Sequence, residues 1–241
     1  MIYQINPEDL LFLDIETAAQ FPSYNNMPES LQRFWDKKAS KHMTDDLNAS
    51  DVYNCAGIYA EFGKIICISV GRIVQQKGEY IYKVKSYADD DERKLIKNFN
   101  NDLENFYKKG IRTICAHNGN EFDIPFIARR TLILGLQLPT MLNIAGLKPW
   151  ELKDRLIDTM QLWKFGDFKN FTSLALLCEI FQIPTPKDDI DGSEVFHVYY
   201  EENNLERIVA YCEKDTLAVA NLLLRFLGKE IILPEKMQII G

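Results

Sequence analysis

No run of uncharged apolar residues in this 241-residue chain approaches the roughly 18–20 that span a bilayer, so no membrane-spanning helix is expected. The first residues, MIYQINPEDL, lack the basic-then-apolar layout of a secretory signal, which makes the cytoplasm the expected compartment. There is no C-x-x-C pair. The five cysteines, Cys55, Cys67, Cys115, Cys178 and Cys212, are odd in number and widely spaced, and are expected to be reduced core residues rather than disulfides or zinc ligands. Basic charge is not in excess either: 28 Lys and Arg stand against 35 Asp and Glu, a net charge of −7. That balance argues against a surface coated for nucleic acid, yet leaves room for a compact site where metal ions handle phosphates. Internal repeats and low-complexity tracts are also missing.

What is present is a chain with 46% hydrophobic residues, enough for a sizeable core. Residues 10–17, LLFLDIET, read as a strand; GKIICISVGRI and GEYIYKVKSYA, separated by VQQKG, read as a hairpin. Leu95, Ile96, Phe99, Leu103 and Phe106 fall at helical spacing between Asp89 and Lys109, with Gly110 placed to cap the end. Then come a strand in IRTICAHN, a helix in IPFIARRTLILGL and a short strand in RLIDTM. Helices follow in FTSLALLCEIF, SEVFHVYYEEN and residues 205–227. An antiparallel start followed by alternating helices and strands predicts an α/β fold with a mixed central sheet flanked by helices. One domain is expected over residues 1–241, with an insertion at about 18–57 between the first two strands, rich in Asn, Ser, Pro and Asp and holding the amphipathic piece ESLQRFWDKKASKH.

Four acidic residues sit where packing alone would place something else. Asp14 and Glu16 end an apolar strand and share one of its faces, since strand side chains alternate with period two. Asp123 stands among Phe122, Ile124 and Phe126 where a strand gives way to a helix, and Asp215 lies in the last helix one turn beyond Tyr211. Each has an ordinary explanation. With 35 acidic residues in 241, about five carboxylate-x-carboxylate pairs arise by chance, Asp123 suits a helix cap, and Asp215 suits a solvated helix face. Together they are harder to dismiss, because three segments bring carboxylates to strand ends that an α/β sheet exposes. Gathered carboxylates resist ionisation unless a hard cation binds them, and Mg2+ or Mn2+ is the natural choice.

LDIET, AHNGNEFDIPF and YCEKD resemble, in order, the three motifs of the DEDD superfamily of 3′–5′ exonucleases. Tyr211, four residues before the last Asp, with Ala210 where the other subclass has His, makes the sequence similar to the tyrosine subclass (DEDDy). AEFGKIICISVG, LIDTMQLWKFG, FTSLALLCEIFQIP and YCEKDTLAVANLLLRF extend the likeness to bacterial exonucleases related to the proofreading domain of family B DNA polymerases. The resemblance implies an RNase H-like fold and phosphodiester hydrolysis from a 3′ end to nucleoside 5′-monophosphates with two divalent ions, Mg2+ or Mn2+. It implies that Asp14 bridges both ions, that Glu16 and Asp215 complete the first site, that Asp123 holds the second, and that Tyr211 orients the attacking water.

Substrate contacts are read more openly. Asn118 either reaches the substrate backbone or simply occupies a tight turn. Ile15 and Thr17 have main-chain groups to offer a terminal 3′-hydroxyl, and Phe122 is either core or a wall for a base. His117 is read as a hydrogen-bonded structural residue, His197 as core packing on an apolar helix face, and Asp158 as a cap or a support behind the acidic cluster. Arg33, Lys37, Lys38 and Lys41 with Phe34 and Trp35 either clamp a strand by charge and stacking or form a solvated helix whose aromatics pack inward. The expected partner is nucleic acid with single-stranded 3′ ends, DNA favoured over RNA. An RNA-trimming exoribonuclease of the same fold and a catalytically decayed nucleic-acid-binding module are the alternatives, and oligomeric state stays open.

Overall fold

In the computed structural model, which describes residues 2–152, 154–167, 171–184 and 190–240, the first apolar run becomes strand β1 (Leu10–Ala19). It is apolar on both faces because both are covered. Leu11, Leu13 and Ile15 join Leu95, Ile96, Phe99, Ile124 and Ile127 in one core cluster, while Leu10 and Phe12 pack with Leu217, Ala220, Leu223 and Leu224 in another. The connection that follows carries helix α1 (Glu29–Ala39), whose Trp35 is fully buried against Tyr53, Tyr59 and Phe62. Thus β1 runs two residues into the expected irregular region, and much of the rest is a folded satellite with its own apolar cluster.

Strands β2 (Gly63–Gln76) and β3 (Glu79–Ala88) form the expected hairpin, closed by Lys77 and Gly78 at φ +53° and +86°, the left-handed pair of a tight two-residue turn. Helix α2 (Glu92–Lys108) starts where the Asp91 carboxylate accepts the N–H groups of Arg93 and Lys94. Strand β4 (Thr113–Ala116) leads into helix α3 (Asp123–Ile133), and α4 (Pro149–Leu152) precedes β5 (Leu156–Asp158) and α5 (Thr159–Lys164). Helices α6 (Leu174–Ile180), α7 (Val195–Tyr200) and α8 (Leu205–Phe226) follow, and β6 (Met237–Ile239) closes the order.

The six strands form one sheet in the order β5-β4-β1-β2-β3-β6. β1, β2 and β3 are antiparallel neighbours, whereas β4 runs parallel to β1 and β5 parallel to β4. This is the mixed α/β arrangement, a central sheet flanked by helices, expected from the sequence. One expectation is corrected: His197 is not core. In α7 the buried stripe is Val195, Val198 and Tyr199, which turns residue 197 to the opposite side, where its ring pairs with Glu201 at 2.9 Å. Cys67, Cys115, Cys178 and Cys212 are buried, as expected, and Cys55 is partly so. Among the described residues no helix is long and apolar enough to cross a membrane.

Candidate active site

Where β1 passes its pairing with β4, its face toward α8 changes character. Leu10 and Phe12 meet the apolar half of α8; Asp14 and Glu16, next on the same face, meet its first turns, which carry Tyr211, Cys212 and Asp215. The Cys212 thiol fixes the contact, with Sγ 3.4 Å from Asp14 Oδ2 and 3.5 Å from its carbonyl oxygen. A β-bulge lies beside the pair, because Glu16 pairs with Cys67 but Thr17 pairs with Ile65. The N–H of Ile65 is satisfied by Glu92, whose buried carboxylate also holds the Arg130 guanidinium in a two-pronged pair. Arg130 in turn donates to the Ala60 carbonyl.

Asp123 arrives from the other side. The ladder between β1 and β4 ends at Phe12 and Cys115, and the Asp123 carboxylate, at the start of α3, accepts the N–H of Ile15 beyond that point. The turn delivering it is held by Asp158, which is buried and accepts N–H groups from Asn118 (3.0 Å), Asn120 (3.1 Å), Met160 (2.9 Å) and Gln161 (3.3 Å). Asn118 has φ +63°, and a Cβ on Gly119 would collide with the Ala116 side chain, which explains the glycine in HNGNEFD. His117 bridges Thr159 Oγ1 and the Thr172 carbonyl, the structural role expected.

The structure therefore brings together Asp14, Glu16, Asp123 and Asp215, with Tyr211 donating its hydroxyl hydrogen to Asp215. Glu16 and Asp123 are 7% and 3% exposed, while Asp14 and Asp215 are partly open to solvent. Burial first, and then the charges of Glu16, Asp123 and Asp215, hold the Asp14 carboxyl well above its ordinary range; burial and Asp215 do the same to Glu16. Burial pushes Asp123 up to about 7, against the opposing pull of backbone N–H groups, and Asp215 up to about 6 against the Tyr211 hydrogen bond. The Tyr211 phenol is driven far upward by burial and by Asp215, Glu16 and Asp14. Among the described residues no Lys, Arg or His forms an ion pair with any of the four carboxylates. Crowded oxygen donors without a protein cation fit a hard divalent ion.

The substrate-side candidates fare unevenly. Ile15 gives its N–H to Asp123 rather than leaving it for a ligand. Thr17 lies just past the bulge and is partly exposed. Phe122 packs against Phe126, ring centroids 5.5 Å apart, at the edge of the core. Asn118 keeps a buried Oδ1 without a hydrogen-bond partner. Two participants carried little sequence signal. Cys212 has ligand-type atoms within 4.8 Å of Asp14 and Glu16, but its thiol is pushed up by burial and acts toward Asp14 as a neutral donor. Asp158 is both cap and clamp, and only its place after a short apolar strand hinted at it.

A structure of the family B DNA polymerase from the hyperthermophilic archaeon Pyrobaculum calidifontis is similar over 89% of this chain and 24% of its own, with a TM-score of 0.48 and 18% identity. The chain thus spans about a quarter of that polymerase. A family model described as "Predicted 3'-5' exonuclease related to the exonuclease domain of PolB" matches residues 58–233, which include Asp123, Tyr211 and Asp215 and stop short of Asp14 and Glu16. With more than half of its length matched, the chain belongs to this family of predicted 3′–5′ exonucleases related to the exonuclease domain of PolB.

Proposed function

We propose that the protein is a metal-dependent 3′–5′ exonuclease of the tyrosine subclass that removes nucleoside 5′-monophosphates from single-stranded nucleic acid, DNA in preference to RNA. The reading is carried by one observation: carboxylates from β1, α3 and α8 share a low-exposure cluster that has no described cationic side chain, and a tyrosine hydroxyl faces it. Asp14, Glu16, Asp123 and Asp215 would hold two divalent ions, Mg2+ or Mn2+. Such ions, when bound, supply Lewis acidity that activates a water and steadies the leaving oxygen.

The chain's own groups account for the remaining requirements. The raised Tyr211 phenol keeps its proton at any working pH, so it serves as a hydrogen-bond donor that orients the attacking water and not as a base. The N–H groups of Asn118 and Asn120, both donated to Asp158, hold the turn that aims Asp123. Presence of all four carboxylates and the tyrosine favours an enzyme over a decayed binding module.

The test is to incubate the purified protein in Mn2+ with end-labelled single- and double-stranded DNA and RNA. A ladder shortening from the 3′ end of the single strands, faster for DNA, is expected. Intact substrates, or shortening from the 5′ end, would refute the assignment.

A further inference from the structure

Helix α1 separates two aromatic neighbours. Trp35 is fully buried, whereas Phe34 is 64% exposed and lines an open groove of about 500 Å3 with Leu31, Lys37, Lys38, Glu61 and Phe62. The groove is apolar on its floor and cationic along its rim. Lys38 is held in place there, its Nζ 4.2 Å above the centre of the Tyr59 ring. Arg33 and Lys41 extend the positive charge, so residues 29–41 carry four basic side chains against Glu29 and Asp36 in a chain whose net charge is −7. Asp36 is engaged by the Tyr24 hydroxyl at 2.8 Å. Glu61 also lines the groove, a single carboxylate facing several cations.

Position gives this surface its meaning. Phe62 accepts the N–H of Gln20, and the next residue, Gly63, pairs with Ala19. Ala19 lies three strand residues beyond Glu16, a span on the order of 10 Å. The groove therefore begins where β1 leaves the acidic cluster, within a few nucleotides' reach of it.

Resting on the exonuclease reading above, we propose that this groove is an upstream shelf for single-stranded nucleic acid: Phe34 stacks a base several nucleotides from the 3′ end while Lys37 and Lys38 hold the flanking phosphates. Stacking on an exposed aromatic tolerates any base, and the cations supply attraction that the acidic cluster itself lacks. The shelf matters for strands long enough to reach it and not for the terminal linkage.

Phe34→Ala and the double variant Lys37→Gln/Lys38→Gln test it. Phe34 and Lys37 are exposed and Lys38 is half-buried over Tyr59, so the fold should be kept. The melting temperature should stay at the wild-type value for Phe34→Ala and fall by only a few degrees for the double variant, which loses the Lys38–Tyr59 contact. Binding of a 5′-fluorescein twenty-nucleotide oligothymidylate in metal-free buffer should weaken about tenfold in each variant. In the lysine variant the salt dependence of log K should become shallower by about 1.4, two phosphate contacts at roughly 0.7 each for a single strand. Hydrolysis of a trinucleotide in Mn2+ should keep its wild-type rate. Unchanged affinity and salt slope for the long strand would overturn the shelf, as would an equal loss on the trinucleotide, which would place these residues at the reacting end. Wild-type protein that hydrolyses neither substrate while the variants still lose long-strand affinity would refute the exonuclease reading and leave the shelf standing.

Discussion

At Asp123 the fold keeps a carboxylate where its charge is least welcome, and the sign of the resulting pH dependence follows directly. Burial pushes the folded-state value up to about 7, whereas an unfolded Asp titrates near 3.8. Between those limits the folded chain holds a proton that the unfolded chain releases, so this group's contribution to stability falls as pH rises from about 4 through about 7. Asp123→Asn keeps an acceptor for the Ile15 N–H and removes the charge. Metal-free Asp123→Asn is therefore expected to melt higher than wild type at pH 8, by roughly 2–4 °C for each kcal/mol recovered, and to show a flatter profile of melting temperature against pH. Differential scanning calorimetry decides it, and a lower melting point at pH 8 would contradict the assigned environment. Tyr211 offers the complementary case. Tyr211→Phe deletes one hydroxyl that donates to Asp215 and leaves the ring. On the proposed reading kcat falls on the order of a hundredfold with KM within about a factor of two; an unaltered kcat would remove Tyr211 from the chemistry.

Between residue and molecule, the bulge in β2 shows how elements cooperate to present Glu16. Next to it, Ile65 lies beyond the last β2–β3 pair, Cys67 with Ala88, and its N–H is taken by Glu92 from α2, which also holds Arg130 of α3 at 2.9 and 2.5 Å. Glu92→Ala leaves a buried guanidinium uncompensated and an N–H unpaired, so a loss of about 3–5 kcal/mol is expected in urea denaturation; a loss below 1 kcal/mol would mean that solvent reaches Arg130. None of this was legible in the sequence, because a bulge depends on register between strands and Glu92 looks like any first-turn helix acid. β1, the hairpin, α2 and α8 were legible, since each has a long run of one period closed by a turn or cap residue. α5 and β6 were not, being six and three residues long. The site divides the same way. Asp14, Glu16, Asp123, Tyr211 and Asp215 stand out as polar residues in apolar runs, whereas Asp158 and Cys212 act through contacts that no spacing encodes. His197 failed for a simpler reason: in so short a helix, one residue's error in the buried stripe reverses the side a residue faces.

Taken as a whole molecule, the chain is acidic, with a net charge of −7, and keeps its most repulsive carboxylates together, so on the proposed reading protons and divalent ions compete for the same oxygens. At pH 5, below the raised values of Asp123 and Asp215, protons already neutralise part of the cluster and an added cation gains little. At pH 8 the protons on Asp123 and Asp215 have gone and the repulsion in the cluster is greater, so a cation binding only the folded chain should stabilise it by RT ln(1 + [L]/Kd). At a hundredfold excess over Kd that is about 2.7 kcal/mol, or roughly 5–10 °C for a chain of this size. Mn2+ is therefore expected to raise the melting temperature by that amount at pH 8 and by much less at pH 5, with EDTA reversing the change. In Asp14→Ala, which removes the carboxylate facing all three others, the Mn2+ shift and the nuclease activity should disappear together while the metal-free protein stays folded. Scanning fluorimetry of both proteins across pH provides the measurement. A shift of equal size at both pH values, or one that survives in Asp14→Ala, would place cation binding away from the carboxylates of β1, α3 and α8 and leave their burial without a chemical purpose.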